Sequence, residues 1–164
     1  FQAGLSWRTV LHKRGNFRKA FAGFNFNTVR TFGKRNIATL LNDPGIIRNR
    51  AKIEAAIHNA KRLIEVRKEF GTFSNYMWSW VNGKPIANDI RSMKDYEPYS
   101  KEAVLWAKDL KKRGFKFLGP TVLYAHMQGV GMVNDHVTTC FRYKQLQLRR
   151  VKTLLTKTQI SNIV

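Results

Sequence analysis

His136 and Cys140 are the two side chains in this sequence whose types and spacing best suit metal chemistry. They lie four residues apart and would share one face of a helix. Imidazole and thiolate together supply half of a tetrahedral zinc site. No second cysteine exists, and the other histidines and the carboxylates lack ligand spacing, so a buried histidine beside a buried thiol is the simpler interpretation. Asp135 could act as a catalytic carboxylate, although a lone aspartate before a helix more commonly serves as its cap.

A basic, glycine-containing connection at residues 111–121 is suited to binding phosphate. A predicted helix ends near Gly114, and Gly119 precedes Pro120, which suits the first position of a new helix. Backbone N–H groups at the start of that second helix would bind an anion. The alternative is an ordinary helical hairpin with a solvated basic end, but the net charge of +20 favours the phosphate interpretation. The expected phosphate contacts are Lys111, Lys112, Arg113, Lys116, Gly119 and Thr121.

The charge of the chain predicts a polyanionic partner. Its 164 residues include 30 Lys and Arg against 10 Asp and Glu. On a folded domain, such an excess indicates nucleic acid, with an anionic membrane as the second candidate. Residues 1–50 hold ten basic side chains against Asp43 alone, and residues 141–164 hold six with no acid. In the second of these segments, we expect sequence-independent phosphate contacts from Arg142, Lys144, Arg149, Arg150 and Lys152.

Composition excludes several classes of protein. A hydrophobic fraction of 43%, with 12% aromatic residues, can form a core and excludes a wholly disordered basic protein. No apolar run approaches the roughly 18 residues of a spanning helix, so membrane insertion is not expected. Because Cys140 is the single cysteine, an intramolecular disulfide is impossible and a reducing compartment is the simpler assumption.

Helices are predicted to position these residues. Apolar side chains recur at helical spacing from Ala51 to Phe70, and Gly71 stands where a C-cap glycine belongs. Ser100 is predicted to cap a helix that reaches Lys112.

The predicted fold class is all-α, with about seven short helices in one domain at residues 1–140 and a basic C-terminal extension at residues 141–164. Asn16 and Asn27 are the predicted caps of two short helices near the N-terminus. No alternating strand of convincing length is found. The side chains expected to be largely buried are Ile53, Ile57, Trp78, Trp80, Leu105, Trp106, Leu123 and Met127.

Six sequence segments resemble the type I bacterial DNA-3-methyladenine glycosylases, helix-hairpin-helix enzymes that flip out and excise alkylated adenine. The segments are residues 2–7 (QAGLSW), 45–53 (GIIRNRAKI), 78–82 (WSWVN), 111–119 (KKRGFKFLG), 127–128 (MQ) and 133–137 (VNDHV). The resemblance covers about the first 140 residues. It implies a glycosylase-like helix-hairpin-helix domain.

The resemblance also implies site residues. Trp7 would form part of the aromatic wall of a base pocket, and Leu5 would fill the gap left by a flipped base. Tyr124 would lie at the same pocket, followed by alanine where the family has serine. His136 and Cys140 would be half of the family's zinc site.

In the family, a segment that would lie before Phe1 supplies the other half of the zinc site, a tyrosine and a tryptophan near the pocket, and a glutamate that hydrogen-bonds the base. The sequence is therefore interpreted as an N-terminally truncated member, with no cofactor and no zinc unless the missing ligands come from elsewhere. Because activity does not persist when a site is removed, we expect no catalysis. The resulting hypothesis is a nucleic-acid-binding structural protein derived from a glycosylase, as a component of a ribonucleoprotein particle such as a mitochondrial ribosome.

This hypothesis specifies partners and a location. The expected partners are rRNA in preference to DNA, other proteins of the assembly, and a separate chain that supplies the missing segment. The expected location is the mitochondrial matrix, or otherwise the cytoplasm or nucleus. The alternative function is an active DNA-3-methyladenine glycosylase, an N-glycosyl hydrolase of base-excision repair, whose N-terminal segment is absent from this chain.

Overall fold

Helices form most of the regular structure in the computed structural model, which describes residues 1–146. The α-helices are α1 (Trp7–His12), α2 (Arg14–Ala20), α3 (Phe26–Val29), α4 (Lys34–Asn42), α5 (Arg50–Phe70), α6 (Phe73–Ser79), α7 (Lys101–Lys112) and α8 (Pro120–Gly129). Two short 3-10 helices occupy Ala22–Phe24 and Met93–Asp95, and residues 141–146 are also helical. The prediction of an all-α fold is confirmed.

Two very short strands, β1 (Ile86–Ala87) and β2 (Val133–Asn134), pair in parallel. Ile86 lies opposite Val133, and Ala87 lies opposite Asn134. Both residues of β2 are buried. The pairing therefore joins the loop after α6 to the segment that follows α8. Within residues 1–146, these two strands form the whole of the β-sheet structure.

Helix α5 is the longest described helix, and local sequence sets both of its ends. At its start, Asn49 Oδ1 accepts a hydrogen bond of 3.0 Å from the N–H of Lys52, which satisfies one of the backbone donors at the helix N-terminus. At its end, Gly71 adopts φ +76°, a conformation that side chains disfavour. The predicted helix from residue 51 to 70 is confirmed to within one residue.

Helix α5 connects two hydrophobic clusters. Its first half contributes Ile53, Ile57 and Ala60 to a cluster with side chains of α2, α3 and α4. Near its end, Val66 joins a second cluster built mainly from α6, α7 and α8. Because one continuous helix belongs to both clusters, it fixes the N-terminal helices relative to the hairpin between α7 and α8.

The expected core is correct in part. Ile53, Ile57, Trp106, Leu123 and Met127 are buried, whereas Trp78 and Trp80 are half-buried. The prediction for Leu105 is wrong, because its side chain is 44% exposed. The buried face of α7 is formed by Ala103, Trp106, Ala107 and Leu110, and helical geometry turns position 105 away from that face.

The short N-terminal helices begin at caps other than the predicted ones. Asn16 lies inside α2 rather than before it. Helix α3 is capped by Asn25, whose Oδ1 accepts from the N–H groups of Asn27 and Thr28 at 3.0 and 3.3 Å. The predicted cap of α7 is confirmed, since Ser100 Oγ accepts from the N–H of Ala103 at 3.3 Å. Among residues 1–146, no helix has both the length and the apolar character that a bilayer crossing requires.

Candidate nucleic-acid interface and cleft

A cleft of about 510 Å³ lies between the N-terminal segment, α5 and α8. Trp7 lines it from the start of α1, Asn59 from α5, and Ala125 and His126 from α8. Lys116 and its neighbours bring the hairpin to the same cleft. The base-pocket position predicted for Trp7 and the phosphate-binding position predicted for the hairpin are therefore adjacent in space.

Trp7 presents an aromatic surface to the cleft. The Ser6 hydroxyl oxygen caps α1 by accepting from the N–H of Thr9 at 3.2 Å, and 60% of the surface of Trp7 is exposed. Leu5, on the turn before the helix, is also exposed. An exposed indole beside a cleft can stack on a planar ring. The roles predicted for Leu5 and Trp7 stay predictions, and of the two it is Trp7 that lines the cleft in the described structure.

Lys52 holds the N-terminal segment against α5. Its ammonium donates a hydrogen bond of 3.1 Å to the carbonyl of Phe1 and a second hydrogen bond to the carbonyl of Ala3. Lys52 also lines the cleft. Because the segment is held by a side chain of α5, the orientation of Trp7 depends on that helix.

Tyr124 does not lie at the cleft that Trp7 lines in the described structure. It is buried, and its hydroxyl oxygen accepts from Asn88 Nδ2 at 3.3 Å. Burial, followed by the neighbouring Asp135, raises the pKa of Tyr124 above its usual range. The base-pocket role suggested for Tyr124 is therefore corrected to a core role. Its position on α8 turns it toward Leu123 and Met127 and away from the cleft.

Asp135 is engaged on both carboxylate oxygens. Oδ1 accepts from Asn88 Nδ2 at 2.6 Å, and Oδ2 accepts from Gln128 Nε2 at 2.7 Å. The Tyr96 hydroxyl donates to its backbone carbonyl at 3.0 Å. These contacts connect α8, β2 and the loop after β1. The carboxylate thus holds three segments together, which neither of the two sequence interpretations of Asp135 anticipated.

His126 is the ionisable side chain that α8 contributes to the cleft. Its Nε2 lies 3.4 Å from Met77 Sδ, and its ring centroid lies 6.0 Å from that of Trp106. Burial of part of the ring lowers the pKa of His126 below its ordinary value. The sequence did not predict this position, because nothing in the neighbourhood of His126 indicates that it lines a cleft.

The hairpin between α7 and α8 forms as predicted. Helix α7 ends at Lys112, Gly114 adopts φ +84°, and α8 begins at Pro120 after Gly119. Gly119 provides no side-chain cap to the N-terminus of α8. Lys111, Lys112, Lys116 and Thr121 are exposed there. These are the features that a phosphate site at a helix N-terminus requires.

Helix α5 anchors this hairpin through two polar side chains. Asn59 Nδ2 donates to the carbonyl of Lys116, and Asn59 Oδ1 accepts from its N–H, both at 2.9 Å. His58 Nε2 lies 2.9 Å from the carbonyl oxygen of Gly114. Sequence analysis did not identify His58 or Asn59. The available signal was the spacing of Lys52 and Asn59, which places both on one face of α5.

Arg113 is not available to phosphate in the way predicted. Its Nε lies 2.6 Å from Asp109 Oδ2, and its two terminal nitrogens pair with Glu69 at 2.5 and 3.0 Å. The guanidinium also lies over the rings of Phe70 and Tyr76. These hydrogen bonds, chiefly those that Arg113 donates to Glu69, raise the pKa of Arg113. We therefore correct its predicted role, because both acidic partners would have to be displaced first.

The C-terminal basic residues are described only in part. Arg142 and Lys144 are exposed, and Arg142 Nη1 donates to Gln145 Oε1 at 3.2 Å. The predicted contacts at Arg149, Arg150 and Lys152 lie outside the described residues. The boundary of the extension at residue 141 stays a prediction.

The side chains of His136 and Cys140 lie close enough together to bind one zinc ion. Cys140 Sγ lies 3.7 Å from His136 Nδ1. A turn rather than a helix produces this proximity, since the N–H of Cys140 donates to the carbonyl of Val137 at 2.8 Å. Within residues 1–146, no third His, Cys, Asp or Glu joins them. The described residues therefore supply two of the four ligands that a tetrahedral structural zinc site requires.

Comparison with known proteins identifies the family. A family model described as methyladenine glycosylase matches residues 1–143. The chain belongs to the methyladenine glycosylase family. It is 42% identical to a DNA-3-methyladenine glycosylase of Haemophilus influenzae over 139 residues. This match covers 85% of this chain and 75% of the relative. It is also 40% identical to DNA-3-methyladenine glycosylase 1 of Escherichia coli over 142 residues, a match that covers 87% of this chain and 76% of the relative.

Solved structures of methyladenine glycosylases share the fold. A crystal structure of a 3-methyladenine DNA glycosylase I superimposes with a TM-score of 0.81 at 41% identity, covering 85% of this chain and 77% of the other. A 3-methyladenine DNA glycosylase I from Staphylococcus aureus gives a TM-score of 0.81 at 34% identity, covering 85% and 74%. The family resemblance drawn from the six sequence segments is confirmed.

The family membership corrects the functional hypothesis. The expectation of a structural protein of a ribonucleoprotein particle is wrong, because the relatives that match most of the chain are DNA glycosylases. Nothing in these comparisons supports a preference for rRNA, partners in a ribosome, a mitochondrial location or the absence of enzymatic activity. The hypothesis took the excess charge as evidence for RNA, although charge alone does not distinguish RNA from DNA.

Proposed function

We propose that this protein is a DNA-3-methyladenine glycosylase that binds alkylated duplex DNA and accepts the flipped base in the cleft beside Trp7. The observation that carries the proposal is that an exposed aromatic side chain and a basic residue of the hairpin line the same cleft. Trp7 lines the cleft with 60% of its surface exposed, and Lys116, from the hairpin, lines the same cleft. A base can then stack on the indole while its flanking phosphates remain at the hairpin.

Each part of the interface has a physical role in this function. The open N-terminus of α8 and the ammonium groups of Lys111, Lys112 and Lys116 bind the phosphate backbone without reading sequence. Flipping a base costs a few kcal/mol, and stacking of the base on the indole of Trp7 recovers part of that cost. Leu5 is exposed on the turn before α1, and in this proposal its side chain fills the space that the base leaves.

The reaction would be hydrolysis of the N-glycosidic bond. Alkylation at N3 gives the adenine base a positive charge, so the C1′–N9 bond breaks with its electron pair on the departing base. The oxygen of water forms a bond to C1′ and loses a proton. Among the described residues that line the cleft, none is Asp or Glu. We therefore assign these residues to binding, orientation and water exclusion, and no general base is assigned.

Excision from alkylated DNA tests the proposal. Duplex DNA treated with a methylating agent is incubated with the protein, and released 3-methyladenine is separated chromatographically. We expect release above the buffer blank, a large loss in Trp7→Ala, and no loss in Tyr99→Ala. Tyr99 is the matched control because it is an exposed aromatic residue outside the cleft. The absence of release by the unaltered protein, with intact DNA binding, would contradict the proposal.

A further inference from the structure

Phe24 is the outer ring of an aromatic stack that begins in the hydrophobic core. Phe21 is fully buried, and its ring lies nearly parallel to that of Phe24, with the centroids 5.6 Å apart and an interplanar angle of 6°. Phe32, from the same cluster, stacks on Phe21 at 6.2 Å. Phe24 itself is 48% exposed. The core therefore fixes one face of this ring and leaves much of its remaining surface in solvent.

The backbone holds Phe24 in a conformation that a side chain disfavours. Consecutive φ values of +49°, +65° and +58° occur at Ala22, Gly23 and Phe24. The turn is closed by hydrogen bonds from the N–H of Phe24 to the carbonyl of Phe21 at 2.8 Å, and from the N–H of Asn25 to the carbonyl of Ala22 at 3.1 Å. A connection between α2 and α3 needs these dihedral angles but no phenyl ring, and glycine or asparagine adopts them at lower cost. The strain therefore points to a role for the exposed ring.

The surroundings of Phe24 are basic. The turn at Ala22–Phe24 contacts both α2 and α3. The basic side chains nearest to it in the sequence lie at the end of α2 or just after α3, and all are exposed: Arg18, Lys19 and Arg30. Together with Phe24 they form the Phe24 surface. Residues 1–42 contain no Asp or Glu, so a ligand that suits this surface combines a planar ring with negative charge.

We propose that the Phe24 surface binds single-stranded DNA, with one base stacked on the phenyl ring and the neighbouring phosphates on the basic side chains. A nucleotide supplies both the planar ring and the charge. The bases of a duplex are stacked on one another, whereas a single strand has faces free to stack on an exposed ring. The cleft beside Trp7 is not lined by Phe24, and the inference does not depend on excision of a base there.

The test compares two single strands that differ only in their bases. One is an oligothymidylate of about eight nucleotides, within the range of known single-strand sites, and the other is a stable abasic strand of the same length. Fluorescence anisotropy measures their affinities for the full chain. Since stacking of one base contributes about tenfold, Phe24→Leu should weaken binding of the oligothymidylate by that factor and leave the abasic strand unaffected. Phe24→Trp should restore the affinity, and unchanged binding of both strands by Phe24→Leu would overturn the proposal.

Two further variants locate the stacking. Tyr99 is the matched control, because it is 45% exposed but lies beside Glu97 rather than basic side chains. We expect Tyr99→Leu to bind both strands as the unaltered protein does. Trp7 is also exposed and can stack on a base. If Trp7→Ala lowers the affinity for the oligothymidylate and Phe24→Leu does not, the stacking occurs in the cleft and the proposal is wrong.

Salt dependence tests the phosphate contacts of the Phe24 surface. Each phosphate that is neutralised on a single strand contributes about 0.7 to the slope of log K against log[salt]. Lys19→Met and Arg30→Met should each flatten the slope by about this amount for both strands, because both carry the same phosphates. Slopes that neither variant changes would overturn these contacts.

Photocrosslinking of the unaltered protein remains decisive if Phe24→Leu does not fold. A single strand with 5-bromodeoxyuridine in place of thymidine is irradiated with the protein, which is then digested with trypsin. We expect the adduct on Phe24, in the peptide 20–30 that cleavage after Lys19 and Arg30 releases. Adducts elsewhere and none in this peptide would overturn the proposal. An adduct on Phe24 in a protein that releases no 3-methyladenine would support this inference and contradict the proposed function.

Discussion

The side-chain amide of Asn59 forms two hydrogen bonds with the backbone of Lys116, one in each direction and both 2.9 Å long. Asn59 lies near the middle of α5, and Lys116 lies in the hairpin. One side chain therefore satisfies both backbone groups of a hairpin residue and fixes the hairpin to the helix that also lines the cleft.

Substitution of Asn59 should loosen the hairpin. In Asn59→Ala both backbone groups of Lys116 lose their partner, so we expect the free energy of unfolding to fall by about 1–2 kcal/mol and the affinity for duplex DNA to fall with it. Urea unfolding and fluorescence anisotropy measure the two effects. Asn75→Ala, which removes a hydrogen bond of 3.1 Å to the carbonyl of Phe70, is the control. Equal losses of DNA affinity in both variants would contradict the anchoring role.

Arg113 and Lys111 should behave differently although both are basic and close together. Arg113→Met breaks the contacts with Asp109 and Glu69. We expect the free energy of unfolding to fall, mainly because the half-buried pair with Asp109 is lost, since the exposed pair with Glu69 contributes little. The salt dependence of DNA binding should stay the same. Lys111→Met should instead flatten the slope of log K against log[salt] by about one unit with stability unchanged. The reverse pattern would restore the phosphate role first predicted for Arg113.

The N-terminal helices provide a second test of charge. Arg14 and Arg18 are exposed one turn apart on α2 and have no acidic partner in the part of the chain that the structure describes. The slope of log K against log[salt] measures how many phosphates these two side chains neutralise. If this surface reaches the duplex, the Arg14→Ala, Arg18→Ala double variant should flatten the slope by up to about two units.

Arg50→Ala is the matched control for this double variant, because Arg50 already pairs with Glu54 at 3.4 Å. We expect it to change the slope less than either single substitution on α2. A slope unaltered by the double variant would restrict the DNA-binding surface to the hairpin side of the molecule.

Zinc content tests the His136–Cys140 pair. Two protein ligands rarely retain structural zinc, whose usual complement is four. We expect substoichiometric zinc by elemental analysis after dialysis, and a melting temperature that a chelator leaves unchanged. Stoichiometric zinc that is lost in Cys140→Ser would contradict this prediction and would indicate ligands outside the described residues.

His126 should give the fold an acid-sensitive component. Its pKa is lowered in the folded state, so the unfolded chain binds the proton more readily. Stability is therefore lost as the pH falls below about 6.5, the ordinary value for histidine, and levels off below the folded-state pKa. His126→Phe should reduce the difference in free energy of unfolding between neutral and mildly acidic pH. His12→Gln, at the exposed end of α1, is the control, and superimposable profiles for His126→Phe and the unaltered protein would contradict the prediction.

The sequence by itself determined the features that depend on near neighbours. Gly71 ends α5 and Ser100 begins α7, as predicted, because caps act within one helical turn. The hairpin was predictable for the same reason, from Gly114, Gly119 and Pro120. Net charge indicated nucleic acid, but it is a sum over the chain and carries no information that separates RNA from DNA. For that distinction, the six family segments were the better guide.

Only the tertiary structure decided which distant residues meet. Asn59 and Lys116 are 57 positions apart, and Arg113 and Glu69 are 44 apart. Whether a polar side chain finds a hydrogen-bond or ion-pair partner depends on how the helices pack. Their packing is set by contacts summed over both hydrophobic clusters rather than by local sequence spacing. For this reason the sequence presented Arg113 as a free cation and His126 as an isolated histidine. Packing engaged the first in ion pairs and placed the second in the wall of the cleft.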